Sequence, residues 1–138
     1  MAPELLQTVL DTTDARRLAE FWRAVLGWGY RAGDEPPAGG DTADSPPDWL
    51  VLAHPAGAGR LAFQLVDELP AATWPDPAVP QQLHLDLRVR TEEELAAEHR
   101  RVLGAGAQLL LDSSDDEEEP LYVYADPDGH PFCIFVAP

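Results

Sequence analysis

A segment that occurs twice constrains the fold of this chain more than any other feature. Residues 18–29 reappear in outline as residues 95–106, reading LAEFWRAVLGWG and LAAEHRRVLGAG. The Leu-Ala start, an Arg, the Val-Leu-Gly triplet and the final Gly keep one offset. Such an internal repeat indicates two copies of one supersecondary unit, so the two halves of the chain are expected to fold alike.

The repeat also pairs residues outside this segment. The same offset carries Gln7 onto His84, and further along the chain residues 63–65 (FQL) match residues 132–134 (FCI). Residues paired in this way are expected to face each other across the repeat axis, which is where function should be sought. The four positions marked by the repeat are Gln7, Gln64, His84 and Cys133.

The bulk composition fits one compact domain without a membrane span. A length of 138 residues and a hydrophobic share of 45% allow a real core, and no run of 18 apolar residues occurs. The start of the chain has neither a basic segment nor a long apolar stretch, so no signal peptide is expected. The single cysteine, Cys133, excludes an intrachain disulfide, and these features together favour the cytoplasm.

The net charge of −16 bears on which partners the chain can have. A strongly acidic surface repels phosphate backbones, so nucleic-acid binding is not expected. The simpler role of this charge is solubility. The acidic run at residues 115–119 is likewise expected to be a solvated loop, since its like charges have no evident ligand geometry.

The first half predicts the order βαβββ. A helix with apolar residues from Leu18 to Leu26 follows Thr13 or Asp14, either of which can cap it. The strands are expected at residues 5–11, 28–32, 49–53 and 60–66. Residues 33–47, rich in Gly, Pro, Asp and Ser, predict a mobile loop, with a lid and a disordered insertion both left open.

The second half repeats this order after a proline-rich linker at residues 68–80. The segment from Gln82 to Val89 alternates leucine or valine with polar residues and is the clearest predicted strand. Thr91 and Glu94 form the capping box of the next helix. The remaining elements are a helix at 92–103, strands at 107–111, 121–125 and 131–136, an acidic loop at 112–119 and a turn at 126–129.

These elements predict an α+β fold of two tandem βαβββ modules in a single domain spanning residues 1–138. Module one is expected at residues 4–67 and module two at residues 81–138. Each module covers one sheet face with its helix and leaves the other bare, so two modules can curve their sheets around a shared cleft. The polar residues of the alternating strand, which face that cleft, are Gln82, His84, Asp86 and Arg88.

Paired modules with these landmarks resemble the vicinal oxygen chelate superfamily, which includes glyoxalase I, bleomycin-resistance proteins and extradiol dioxygenases. The resemblance is strongest to small bacterial glyoxalase-like domains. It rests on three strings and covers nearly the whole chain apart from the two loops and the linker. The strings are Asp14-x-x-x-Leu18-x-x-Phe21-Trp22-x-x-x-Leu26-Gly27, Leu83-His84-Leu85-Asp86-Leu87, and Asp126-Pro127-Asp128-Gly129 followed by Phe132-Cys133.

The resemblance implies four metal-ligand positions, and this chain departs from their pattern. Metal-using members hold a divalent ion with His, Gln or Glu side chains there, and the matching residues are Gln7, Gln64, His84 and Cys133. In the family pattern the positions on the fourth and last strands carry glutamates, and both of these carboxylates are missing here. Hard divalent ions require charged oxygen ligands. We therefore expect no native metal and no other cofactor, and a divalent metal bound through His84 and Cys133 is the disfavoured alternative.

The same residues are candidate ligand-binding groups. The glutamine amides of Gln7 and Gln64 suit a neutral polar ligand, and Trp49 and Tyr122 can stack on a flat one. His84, with Asp86 on the same strand face, is the candidate general base, although a solvated histidine is the simpler interpretation. The thiol of Cys133 is expected to be inert.

Three function classes remain open. The leading prediction is a glyoxalase-like protein that binds a small organic molecule without an essential metal, as in sequestration of a toxic compound. The alternative is a lyase, isomerase or dioxygenase of the superfamily that depends on a metal or on His84. The third is a non-catalytic interaction module, for which a homodimer is possible.

Trp74, in the linker, either clamps the linker to the body or lines the mouth of the cleft.

Overall fold

The computed structural model describes residues 2–79 and 83–137. The chain forms two compact units that divide between Leu69 and Pro70. The first unit contains β1 (Thr8–Thr12), α1 (Ala15–Leu26), β2 (Gly29–Tyr30), β3 (Trp49–Ala53) and β4 (Arg60–Leu65). The second contains β5 (Leu85–Val89), α2 (Glu92–Ala105), β6 (Gln108–Ser113), β7 (Leu121–Ala125) and β8 (Pro131–Val136). The predicted strand start at Gln82 and linker end at Pro80 lie outside the described residues.

The two sheets have the same topology. Their strand orders are β1-β4-β3-β2 and β5-β8-β7-β6, with the first pair parallel and the other pairs antiparallel in each. The long connection that a parallel pair requires contains the helix and the other two strands of the unit. The predicted α+β fold of two tandem βαβββ modules is therefore confirmed. The single-domain organisation and the shared cleft stay predictions.

Helix α1 forms a dry contact with its sheet. Of the two candidate caps, Asp14 is the one that accepts a hydrogen bond from the Arg17 backbone N–H, and Gly27 ends the helix at φ 70°. Trp22 is fully buried and meets Phe21 edge to face. The buried residues of the helix are Ala15, Leu18, Ala19, Phe21, Trp22 and Val25. This apolar stripe gives the first unit its core.

Helix α2 follows the same plan with a more polar face. The Thr91 hydroxyl accepts from the Glu94 N–H, while the Glu94 carboxylate accepts from the N–H of Arg90 and not of Thr91, a variation on the predicted capping box. Only Leu95 and Val102 of this helix are buried. The helix continues two residues beyond the predicted end, because the left-handed turn that terminates it falls at Gly106, φ 119°.

Several predicted strand boundaries were wrong, including those of β1, β2, β5 and β6. Strand β1 begins at Thr8 and not at Leu5, and Leu5 is 93% exposed. Its ladder with β4 starts at the pair Thr8 and Leu61. In the second unit β6 runs on to Ser113, which shortens the predicted acidic loop, and its register shifts between Leu109 and Leu111.

The predicted mobile loop at residues 33–47 is anchored to the first unit. The Arg16 guanidinium forms an ion pair with Asp41 at 2.6 Å and donates to the Asp34 carbonyl oxygen at 2.7 Å. The Asp34 carboxylate accepts from the Val51 N–H of β3. One arginine of α1 therefore holds the loop at two points.

Among the described residues, no helix has the length and apolar character needed to cross a membrane.

Candidate functional site

The second sheet brings three reactive side chains together on one face. His84 immediately precedes β5, and Asp86 lies opposite Cys133 of β8 in the parallel ladder. Because side chains alternate along a strand, His84 and Asp86 share a face with Cys133. Leu85 and Leu87 project from the other face, which contacts α2. The prediction that His84 and Asp86 lie on one face agrees with this register.

The three side chains form a compact cluster. His84 Nε2 lies 3.1 Å from Asp86 Oδ1, and one nitrogen, one oxygen and one sulfur atom of the three residues lie within 4.8 Å of one another. Cys133 is only 6% exposed, whereas the Asp86 side chain is 57% exposed. The cluster therefore places a buried thiol beside a carboxylate and an imidazole that solvent reaches.

The Cys133 thiol stays protonated at neutral pH. Burial raises its pKa to about 11, and the Asp86 carboxylate adds to the shift through its charge and its hydrogen bond with the thiol, followed by the charge of Glu119. Each of these favours the neutral thiol over the thiolate. Because the thiolate is the nucleophile, Cys133 is poorly suited to covalent catalysis.

A hollow of about 310 Å³, here called the second-unit hollow, opens over this cluster. The indole of Trp74 lies flat on the His84 imidazole, with ring centroids 4.2 Å apart and planes inclined by 8°. Of the two alternatives left open for Trp74, lining a site is therefore the one the contacts favour. The lining residues are Trp74, Pro75, His84, Asp86, Leu111, Glu119, Leu121, Val123, Cys133 and Phe135.

Tyr122 lies on the wrong face for this site. It is opposite Ile134 in the ladder, one residue out of step with Cys133, and its ring stacks on His99 of α2 at 4.0 Å. Tyr122 therefore lies outside the site at Cys133, and its predicted stacking on a flat ligand stays a prediction. A strand residue one position away points to the opposite face, and the sequence match of the strands does not reveal which face.

The first unit places the other predicted residues differently. Gln64 lies opposite Asp11 in β1 and opposite Trp49 in β3, four positions along the strand from Gln7. Gln7, Gln64 and Trp49 share a sheet face, but the two glutamines are separated by about 13 Å along the strand direction. The two amides do not converge as the Cys133 cluster does.

The strand registers also correct the repeat. The offset that places Gln7 on His84 places Val9 on Asp86, and Val9 pairs with Ala62 as Asp86 pairs with Cys133. Ala62, two residues before Gln64, is thus the structural counterpart of Cys133. Sequence comparison aligned Phe63-Gln64 with Phe132-Cys133 because each pair begins with phenylalanine. The pairing of the strands gives the structural correspondence instead.

Sequence reasoning missed six lining residues, Glu119 and Phe135 among them. Glu119 is the last residue of the acidic run that was predicted to be a solvated loop, and Phe135 is the second phenylalanine of β8. The preceding part of the run is local structure, since Asp116 accepts hydrogen bonds from the N–H groups of Glu118 and Glu119. The position of Glu119, two residues before β7, was the available signal.

The fold and most of the length are shared with solved structures. A fosfomycin resistance protein, FosX, from Listeria monocytogenes, complexed with Mn(II) and a dihydroxypropylphosphonic acid, has a TM-score of 0.71 at 14% identity, covering 100% of this chain and 95% of that chain. A glyoxalase/bleomycin resistance protein/dioxygenase family enzyme from Burkholderia phytofirmans gives 0.67 at 16%, covering 94% and 95%. A glyoxalase-related enzyme from Fulvimarina pelagi gives 0.65 at 25%, covering 99% and 90%.

No curated protein matches the sequence. The family profile described as the glyoxalase-like domain matches residues 7–135, nearly the whole chain. This match agrees with the tandem βαβββ topology and with the three strings on which the resemblance was based. The chain therefore belongs to the glyoxalase-like domain family.

Proposed function

We propose that this protein binds a small organic molecule in the second-unit hollow and needs no metal to do so. The observation that carries the proposal is the hollow itself, where Trp74 covers His84 above an apolar wall. Its volume is at the lower end of the range for small-molecule sites, and an apolar lining with a few polar groups is typical of them. Sequestration of a toxic compound is one form this function takes.

Each group has a distinct part in the proposed binding. Trp74 offers a flat apolar surface, Asp86 accepts hydrogen bonds, and His84 orients a polar group of the ligand. Cys133, as a neutral thiol, fills space at the base. Gln7, Gln64 and Trp49 of the first unit stay predicted ligand contacts, and the proposal rests on the second unit alone.

The binding test is a thermal-shift screen of metabolite and antibiotic panels on metal-free protein, followed by calorimetry on the hits. We expect at least one compound to raise the melting temperature and to lose most of its affinity in Trp74→Ala. The matched control is Trp28→Ala, which removes a tryptophan that packs against a histidine, His54, in the first unit. That variant should bind like the wild type.

Two results would contradict the proposal. One is an empty screen across broad panels with folded protein. The other is a hit whose affinity falls equally in Trp74→Ala and Trp28→Ala, because that would place the ligand outside the second-unit hollow.

A metal-dependent enzyme is the second candidate function, and the donor set favours it. Counting donors at the four repeat positions found no carboxylate, but the structure adds Asp86 to His84 and Cys133. An imidazole, a carboxylate and a thiolate suit Zn²⁺, and three protein ligands are what a catalytic zinc keeps. Such an ion would supply a Lewis acid for a lyase or isomerase. Binding must displace the proton of a thiol whose pKa is about 11.

Metal loading separates the two candidates. Metal-free protein is dialysed against Zn²⁺, Ni²⁺, Fe²⁺ or Mn²⁺ and its metal content is measured. Uptake of one ion per chain that is lost in His84→Ala and in Cys133→Ser supports the enzyme. Substoichiometric uptake that both variants retain supports binding of an organic molecule without a metal.

A further inference from the structure

The charges around the second-unit hollow restrict what it can bind. Two carboxylates, Asp86 and Glu119, line it, and none of its described lining residues is an arginine. Arg88 follows Asp86 on the same strand face but does not line the hollow. His84 contributes at most one positive charge, and two carboxylates outweigh it. The hollow is therefore negatively charged whether or not His84 is protonated.

The Asp86 carboxylate reaches the base of the hollow, because one of its oxygens lies within 4.8 Å of the sulfur of the buried Cys133, and Glu119 lines the same hollow. An anionic ligand placed there would be repelled by both carboxylates. A cationic ligand would be stabilised by the same interactions with the sign reversed.

The rest of the lining suits the apolar part of an organic cation. Trp74 and Phe135 are aromatic, and leucine and valine side chains of β6 and β7 complete the wall. An ammonium group is attracted to the faces of aromatic rings as well as to carboxylates. A hydrophobic body would displace water from the wall while its charged end stays near the carboxylates.

We propose that the ligand of the second-unit hollow is a small organic cation, with an ammonium group near Asp86 and Glu119 and an apolar body against Trp74. This inference rests on the proposed function and adds the charge class of the ligand. The net charge of −16 over the whole chain would draw such a molecule in from solution.

Three probes with one body and different heads test the charge class. Phenylpropylamine, phenylpropanol and phenylpropanoate are titrated into the full chain by calorimetry at low and moderate salt. We expect the amine to bind at least about tenfold more tightly than the alcohol, the carboxylate to bind most weakly, and only the amine to weaken as salt rises.

Variants then locate the charge. Glu119→Gln and Asp86→Asn should each lower the affinity for the amine by about threefold to tenfold and weaken the alcohol by a smaller factor, because each removes one charge and keeps the shape. Glu93→Gln makes the same change in helix α2, away from the hollow, and is the matched control. It should change the affinity for neither the amine nor the alcohol. Circular dichroism verifies the fold of each variant.

The outcomes keep this inference apart from the proposed function. Equal affinities for the amine and the alcohol would overturn the charge class, while binding in the hollow would still stand. A loss in Glu93→Gln as large as in Glu119→Gln would attribute the preference to overall charge and would also overturn the inference. The proposed function itself is contradicted by an empty screen of the wider panels, or by a hit that loses affinity equally in Trp74→Ala and Trp28→Ala.

Discussion

The two units have the same topology but differ in what fills the space between helix and sheet. Trp22 of α1 and His99 of α2 occupy equivalent places in the repeat, yet Trp22 is buried among apolar side chains. His99 stacks on Tyr122 and hydrogen-bonds the Tyr124 hydroxyl at 2.8 Å. The helix contact of the first unit is therefore dry, whereas that of the second is polar and aromatic.

The opposite sheet faces differ in the same direction. Where the second unit has His84, Asp86 and Cys133, the first has Gln7, Val9 and Ala62. The ionisable cluster is thus confined to one copy of the repeat. The comparison teaches that a repeated backbone does not impose a repeated site, because strand pairing conserves position but leaves the side chain free to vary.

The largest expected contrast is in stability. Trp22→Ala should lower the free energy of unfolding by about 3–5 kcal/mol, because it leaves a large cavity in a dry contact. His99→Ala should cost only about 1–2 kcal/mol, since it removes one hydrogen bond and a partly exposed ring. Urea unfolding followed by circular dichroism measures both. Equal costs would show that the two helix contacts do not differ in kind.

The next contrast is in thiol chemistry. Because its pKa is about 11, Cys133 should react slowly with iodoacetamide at pH 8, and the rate should rise with pH until about pH 11. Asp86→Asn removes a group that raises the pKa, so the rate at pH 8 should increase by about threefold to tenfold. Mass spectrometry of the alkylated protein follows the reaction, with Glu93→Gln as the control. An unchanged rate in Asp86→Asn would deny the coupling between Asp86 and Cys133.

The helix caps provide a smaller and symmetrical test. Asp14→Ala and Thr91→Ala each remove the side chain that accepts a backbone N–H at the start of a helix. Each should lower the free energy of unfolding by about 1 kcal/mol, since the cap is the feature that the units share most closely. Chemical denaturation measures both values. A difference of more than about 1 kcal/mol would mean that the copies diverge in their caps as well.

The smallest expected effect concerns the loop at residues 33–47, which the second unit lacks at this length. Arg16→Ala removes the ion pair with Asp41 and the hydrogen bond to the Asp34 carbonyl oxygen. We expect cleavage within the loop under limited proteolysis to become several-fold faster with little change in global stability. Arg17→Ala, at the neighbouring exposed position, is the control. Equal cleavage of the two variants would show that Arg16 does not hold the loop.

Much of the fold followed from local chemistry. The capping residues Asp14 and Thr91, strands β3, β7 and β8 and the turn at residues 126–129 lie where the sequence predicted them. Their signals are short-range, because capping oxygens, apolar spacing and turn residues act within a few positions. The start of β1 was misplaced because the apolar residues before it have no partner strand, which only the ladder reveals.

The candidate site was predicted in part, and the division follows from distance along the chain. His84 and Asp86 were predicted to share a face because strand alternation within one segment is enough to decide it. Tyr122 was predicted as a ligand contact without a sheet face, because the register between two strands decides the face and sequence alternation within each strand does not give that register. Glu119 was set aside as a solvated charge, although its neighbours across the fold make it a lining residue.

The sequence by itself determined the repeated βαβββ order, the helix cap at Thr91 and the lack of a carboxylate at all four repeat positions. Tertiary structure alone decided that Ala62 and not Gln64 corresponds to Cys133, that Asp86 lies opposite Cys133, and that Trp74 covers His84. The physical reason is that strand register and the path of a proline-rich segment depend on pairing between distant residues.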